Sequence, residues 1–330
     1  MIRPLNSPKV SFAGIAKLIG ADYDQDIEVN GIAQNATEIQ PGDIFLALSG
    51  NKHHGIEFLD EAIENGAVAV ITDQKGANSK LPTLIVSDPR AISGVVSAHI
   101  YGEPSSNMFT VGITGTNGKT SVVTMTQALL TAAGINAHAV GNVGEPVISA
   151  VMAAKAADVL VVEASSFQLH RSTLMQPYAS TVLNVAPDHL DWHGSMANYQ
   201  RAKAAVLERT TGFCLYRREE PISRTLIEQA DVHEGCRAIG TTVSVPALGE
   251  VGVVDGVIVD RAFEEDRRER AVELATVADI AGGVTEAGPV VANALTAVAL
   301  ARTCGVEATA IQQGLRTWQP QPHRMVMVAR

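Results

Sequence analysis

Two glycines, a lysine, an asparagine and three hydroxyl residues stand together at Gly115, Thr116, Asn117, Gly118, Lys119, Thr120 and Ser121. Glycines let several backbone N–H groups turn toward one anion, a lysine reaches terminal phosphate oxygens, and a threonine hydroxyl can ligate Mg2+. The spacing is G-x-x-G-K-T. The longer form G-x-x-x-x-G-K-[ST] would need a glycine at 113, where the chain has Ile113. The chemistry suggested is binding of a nucleoside triphosphate, and the motif alone names no reaction. The bland alternative is a strand–helix turn with an exposed lysine.

A second set of groups lies further on. Glu163 ends the run "VLVVE", and Asn184 ends "TVLN" ahead of Asp188, His189 and Asp191. Lys203 sits in "MANYQRAKAAVLE". A carboxylate at a strand end can hold a divalent cation, and a neutral imidazole can hold the same ion or another. Each has a plainer reading: a strand-end charge for Glu163, a satisfied loop histidine for His189, a solvated helix face for Lys203. Composition alone favours the solvated face for Lys203. Taken with the glycine loop, the set points to an Mg2+–ATP site with a second charged substrate nearby.

These residues need strands and helices to bring them together. Apolar runs at 108–113, 136–140, 158–163 and 180–185 alternate with helical patterns at 120–133, 195–209 and 291–303. Strands apolar throughout, alternating with helices, imply a parallel sheet covered on both faces, with ligands at the carboxyl ends of the strands. Residues 213–280 read as short strands and turns, with a hairpin around Asp255-Gly256, followed by a charged helix. The first hundred residues read as a smaller α/β unit: a Pro41-Gly42-Asp43 turn, a strand from Ile44 to Leu48, a helix over Phe58, Leu59, Ala62 and Ile63 closed by Gly66, then strands at Val68–Ile71 and "PTLIVSD". "GEPSSN" at 102–107 is the linker candidate. The predicted division is 1–105 and 106–330, in an α/β chain whose larger part is a P-loop-type ATPase domain.

The bulk properties narrow the class. The 330 residues are 46% hydrophobic, 18% charged and only 4% aromatic, with net charge −10. An acidic chain disfavours non-specific nucleic-acid binding. Cys214, Cys236 and Cys304 are odd in number and lack Cys-x-x-Cys spacing, so neither a disulfide framework nor a zinc ribbon is indicated. No apolar run reaches membrane-spanning length and the start "MIRPLNSPKV" has no apolar signal region, which makes the cytoplasm the expectation.

"GITGTNGKTS", "EASSFQL", "LNVAPDHLDWHGSMANYQRAK" and the pair His323-Arg324 resemble the central domain of the Mur ligases, over about 109–330. These ATP-dependent enzymes add amino acids to UDP-N-acetylmuramic acid. "GNVGEP", "SSFQL", "ADVHEGCRAIG" and "GVVDGVIVDRAF" are most similar to the branch that adds D-glutamate to UDP-N-acetylmuramoyl-L-alanine. "GIAQNATEIQPGDIFLALSGNKHHGIEFLDEAIENGAVAVIT" instead resembles the N-terminal, UDP-sugar-binding domain of the branches adding the third residue or the terminal dipeptide. Where those carry Asp-Ser-Arg, this chain has Asn35, Ala36 and Thr37. "AGPVVANAL" lacks the usual His-Asn after Gly-Pro but keeps Asn293.

The resemblance implies a set of roles. Gly115 to Ser121 cradle the ATP phosphates, Lys119 meets the terminal phosphates, and Thr120 and Glu163 hold Mg2+. His189 holds a second Mg2+ near the muramoyl substrate, with Asn142 and Ser165 also toward that substrate. Lys203 matches a lysine that is carbamylated and steadies the metals. Asn293 and Arg324 contact the nucleotide. The implied reaction is amide formation through an acyl phosphate, in peptidoglycan synthesis, by a cytoplasmic monomer. The family's C-terminal Rossmann-like domain follows the His-Arg hinge. This chain stops six residues after Arg324, so that domain is expected to be absent from it. The alternatives are the third-residue-adding ligase, a nucleotide- and precursor-binding module without turnover and, less fitting to "SSFQL" and "GNVGEP", a folylpolyglutamate-type ligase.

Overall fold

The structure, a computed structural model, describes residues 8–23, 25, 27–50, 52–77, 80–103, 108–151, 157–172, 175–280 and 288–319. The chain forms two compact units that part between residues 107 and 108.

In the first unit, β1 (Val10–Ser11) and β2 (Glu28–Val29) pair antiparallel. The strands β3 (Gly31–Ala33), β4 (Asp43–Ala47), β5 (Ala67–Thr72) and β6 (Thr83–Ile85) form a parallel sheet in sequence order. Alternation along β4 divides its side chains between the faces. Ile44 and Leu46 join one apolar cluster with the helices Phe12–Leu18 and Pro89–Ile100; Phe45 and Ala47 join another with the helix Leu59–Glu64. Gly42 and Gly66, at φ 91° and 103°, supply the left-handed turns before β4 and β5.

The second unit is built on nine strands: β7 (Phe109–Thr114), β8 (Ala137–Gly141), β9 (Val159–Glu163), β10 (Ala179–Val182), β11 (Phe213–Arg217), β12 (Arg237–Thr241), β13 (Glu250–Val254), β14 (Val257–Asp260) and β15 (Val272–Thr276). Their spatial order is β15-β14-β13-β12-β11-β10-β7-β9-β8. All pairs are parallel except β13–β14 and β14–β15. Val161 and Leu215 face the helix Lys119–Ala132 and the long helix Pro289–Thr303, while Val162 and Cys214 face the other side. Burial on both faces explains why these strands read as continuous apolar runs. From β7 the chain crosses to β8 and β9 on one side and later to β10 on the other. The loops after β7 and β10 therefore diverge at a topological switch point, the place where open α/β sheets bind ligands.

One expected element is corrected. Instead of a charged helix after the β13–β14 hairpin, residues 261–270 form bends and turns. Their charges serve side-chain ties: Arg302, on the buried helix Pro289–Thr303, bonds Asp260 at 3.0 Å and also Glu264, and Arg270 pairs with Asp266 at 2.7 Å. The stretch has no apolar stripe to bury, and such a stripe is what stabilises a short helix in a protein. The helix Met196–Ala204 is shorter than the sequence pattern, since Val206 and Leu207 donate three residues back.

Candidate functional site

The phosphate-loop residues lie between β7 and the helix Lys119–Ala132. Gly118 adopts φ 84° as the residue preceding that helix, and a Cβ there would meet Asn293 Oδ1 at 2.6 Å. Glycine is thus required by conformation and by space. The loop is held from the β10 side. The Thr116 N–H donates to Asn184 O at 3.0 Å, the Asn117 N–H to Asn184 Oδ1 at 2.9 Å, and Asn184 Nδ2 back to Asn117 O at 3.1 Å. Thr116 Oγ1 accepts from the Ala186 N–H at 3.0 Å and lies 3.2 Å from the Tyr199 hydroxyl.

Both lysines reach this loop. Lys119 Nζ donates to Gly115 O at 2.9 Å and Thr116 O at 3.0 Å, and Lys203 Nζ donates to the same Gly115 O at 2.8 Å. Lys203 is buried and lies 4.6 Å from the centroid of the Tyr199 ring. Burial, followed by the nearby Lys119 ammonium, pushes Lys203 down to about 7, with Asp188 partly opposing. A substantial fraction of Lys203 is therefore neutral amine near neutral pH. That is the form able to take up CO2.

Glu163, the last residue of β9, is buried. Its carboxylate accepts from the Thr120 hydroxyl at 2.9 Å and from Asn142 Nδ2 at 3.0 Å. A hydroxyl and a carboxylate at the mouth of a phosphate loop are hard oxygen donors, the type Mg2+ takes. His189 is not joined to them by a hydrogen bond. It has φ 51°, lies 3.5 Å from Asp188 Oδ2 and packs at 4.9 Å between centroids against Phe167. Among the described residues, no group of three or more His, Cys, Asp or Glu side chains is assembled to hold a metal.

Phe167, His170, His189, Trp192, His193 and Tyr199 form a continuous ring cluster. In it His193 is buried and lies 2.9 Å from Ser166 Oγ, and its pKa is lowered by burial and then by the neighbouring His170, His189 and Lys203 side chains. The Ser165 hydroxyl caps the helix Ser166–Leu169 through Gln168. Ser121 lies in the first turn of the helix Lys119–Ala132. Asn293 accepts from Arg217 at 2.7 Å. Arg324 and the preceding His323 lie outside the described residues.

Sequence reasoning passed over Tyr199 and Arg217. Tyr199 stands four residues before Lys203, hence on the same helix face, which is the signal that could have found it. Arg217 follows Leu215 by two in β11, so the period of two turns it toward the same helix-covered face.

Two family models match the chain: Mur ligase middle domain over 113–251, and Mur ligase family, catalytic domain, over 28–102. The UDP-N-acetylmuramoylalanine--D-glutamate ligase of Streptomyces avermitilis is 48% identical over 219 residues, 66% of this chain and 46% of that protein. The enzyme of the same name from Thermobifida fusca is 48% identical over 223 residues, with the same shares. The chain thus spans about half the length of the curated relatives it matches. A solved UDP-N-acetylmuramoyl-L-alanyl-D-glutamate--2,6-diaminopimelate ligase shares the fold, with TM-score 0.73 at 18% identity over 98% of this chain and 69% of that one. On the two family matches and the extent of these relationships, the chain belongs to the Mur ligase family.

Proposed function

We propose that this chain carries the nucleotide-handling part of an ATP-dependent ligase that adds an amino acid to a UDP-N-acetylmuramoyl precursor in peptidoglycan assembly. The finer reading is addition of D-glutamate to UDP-N-acetylmuramoyl-L-alanine. The observation that carries it is the convergence of Lys119 and Lys203 on the Gly115 carbonyl beside the Thr120–Glu163 pair. The D-glutamate branch is favoured by relatives of that name at 39–48% identity.

Forming an amide from a carboxylate requires an activated acyl group, here an acyl phosphate made with the γ-phosphate of ATP. That step brings two anions together. The loop N–H groups, the start of the helix Lys119–Ala132 and the Lys119 ammonium offset their repulsion. Thr120 and Glu163 are the residues that would hold Mg2+, which supplies charge neutralisation at the phosphates. Lys203, as amine, takes up CO2 with loss of a proton to give an anionic carbamate of the sign a cation site needs. Asn142 fixes the Glu163 carboxylate, and His189 is assigned to the muramoyl substrate by the family resemblance.

The test incubates the chain with Mg2+–ATP, UDP-N-acetylmuramoyl-L-alanine and D-glutamate, following phosphate and product. A parallel arm uses the D-glutamyl precursor with a diamino acid. Turnover in the first arm supports the finer reading, and turnover in the second reassigns the branch. Tight Mg2+–ATP binding without amide supports the second reading, a nucleotide- and precursor-binding module. Failure to bind ATP at all would sink both.

A further inference from the structure

Arg217 ends β11 with its side chain buried among neutral partners. Its Nε donates to Thr296 Oγ1 at 3.1 Å and its Nη2 to Asn293 Oδ1 at 2.7 Å. Among the described residues no carboxylate hydrogen-bonds it. Glu219 and Glu220 act only through space, and Glu219 is engaged by Thr242 and the Val243 N–H. Burying a cation among neutral acceptors is costly unless an anion compensates it. One amide separates this guanidinium from the phosphate loop, since Asn293 Oδ1 lies 2.6 Å from where a Cβ on Gly118 would be. A guanidinium is donor-only, so it requires the Asn293 carbonyl oxygen and leaves the amide NH2 to face elsewhere. It also polarises that amide, making its N–H groups stronger donors.

We propose that Arg217 is a further cation of the nucleotide site beside Lys119, a positioning residue that favours polyphosphate through the oriented Asn293 amide. This rests on the nucleotide reading above and adds the residue that scales affinity with phosphate number. The rival role, a strand-to-helix tie, would change stability without distinguishing one nucleotide from another.

The experiment measures Mg2+-supplemented binding of ATP, ADP, AMP and adenosine by calorimetry at one salt concentration. The proteins are the unaltered chain, Arg217→Lys, Arg217→Met and Arg217→Gln, with folding checked by circular dichroism. Arg217→Gln removes the charge but keeps a donor for Asn293, so a fold failure of Arg217→Met leaves the question decidable. The neutral variants are expected to lose about tenfold for ATP, progressively less down the series, and little for adenosine. Arg217→Lys is expected to keep the gradient. A uniform loss for all four ligands, or no loss in either neutral variant, overturns the proposal. If the unaltered chain binds none of them, the nucleotide reading itself has failed.

Discussion

Lys203 shows how a residue's surroundings can reverse the role its type suggests. On composition it belongs on a solvated face, yet the helix Met196–Ala204 buries Tyr199, Ala202 and Lys203 together. Its lowered value has a consequence for stability. The folded state releases the proton near pH 7, whereas the unfolded chain holds it to about 10.5. Between those limits the unfolded state binds more protons, so stability rises with pH. Below pH 7 both states are protonated and the burial penalty is fully present. Lys203→Met in CO2-free buffer is therefore expected to be more stable to denaturant unfolding than the unaltered chain at pH 6, by roughly a few kcal/mol. The advantage should shrink as pH climbs toward 10; a constant offset would show the amine is not depressed. With bicarbonate, the same lysine is expected to yield a carbamate carbon signal from labelled CO2, absent in the variant. Lys203→Ala should lose most activity and regain part with a small carboxylate, and full activity in Lys203→Arg would exclude the carbamate. At Glu163, Gln keeps the shape and loses the charge; Mg2+-dependent tightening of ATP should drop by on the order of tenfold.

At the scale of elements, the loop is held in place by a second segment. The Asn117 backbone and Asn184 side chain close a two-bond ring, so the strand end at β10 sets the conformation of the loop after β7. Gly118→Ala meets both an unfavourable φ and the Asn293 amide. It is expected to cost about 1–3 kcal/mol and to weaken ATP binding, read by thermal melts with and without nucleotide. The glycine loop and the parallel strands were legible because backbone geometry and two-sided burial impose compositions that survive in a single sequence. The Arg217–Asn293–Gly118 stack was not, since it joins residues 76 and more positions apart through rotamers no local pattern encodes. The charged run at 261–270 misled for the opposite reason. Its residues have helical propensity, but their partners are the buried Arg302 and one another, not a helix face.

At the scale of the whole molecule, the two units have separate apolar clusters, Phe12 to Ile100 in one and residues from Val111 onward in the other. A protein beginning at residue 108 is expected to fold and to retain ATP binding, checked by calorimetry; loss of both would show that the second unit depends on the first. The hairpin between β13 and β14 has a further use. Asp255 and Gly256 both take positive φ, 47° and 79°, in an exposed turn, and a Cβ on Gly256 would meet nothing within 4 Å. Four strand spacings separate β13 from β7, about 19 Å. A fluorophore-bearing insertion there would give the protein a handle for single-molecule work, reporting on nucleotide arrival without disturbing the residues that receive it.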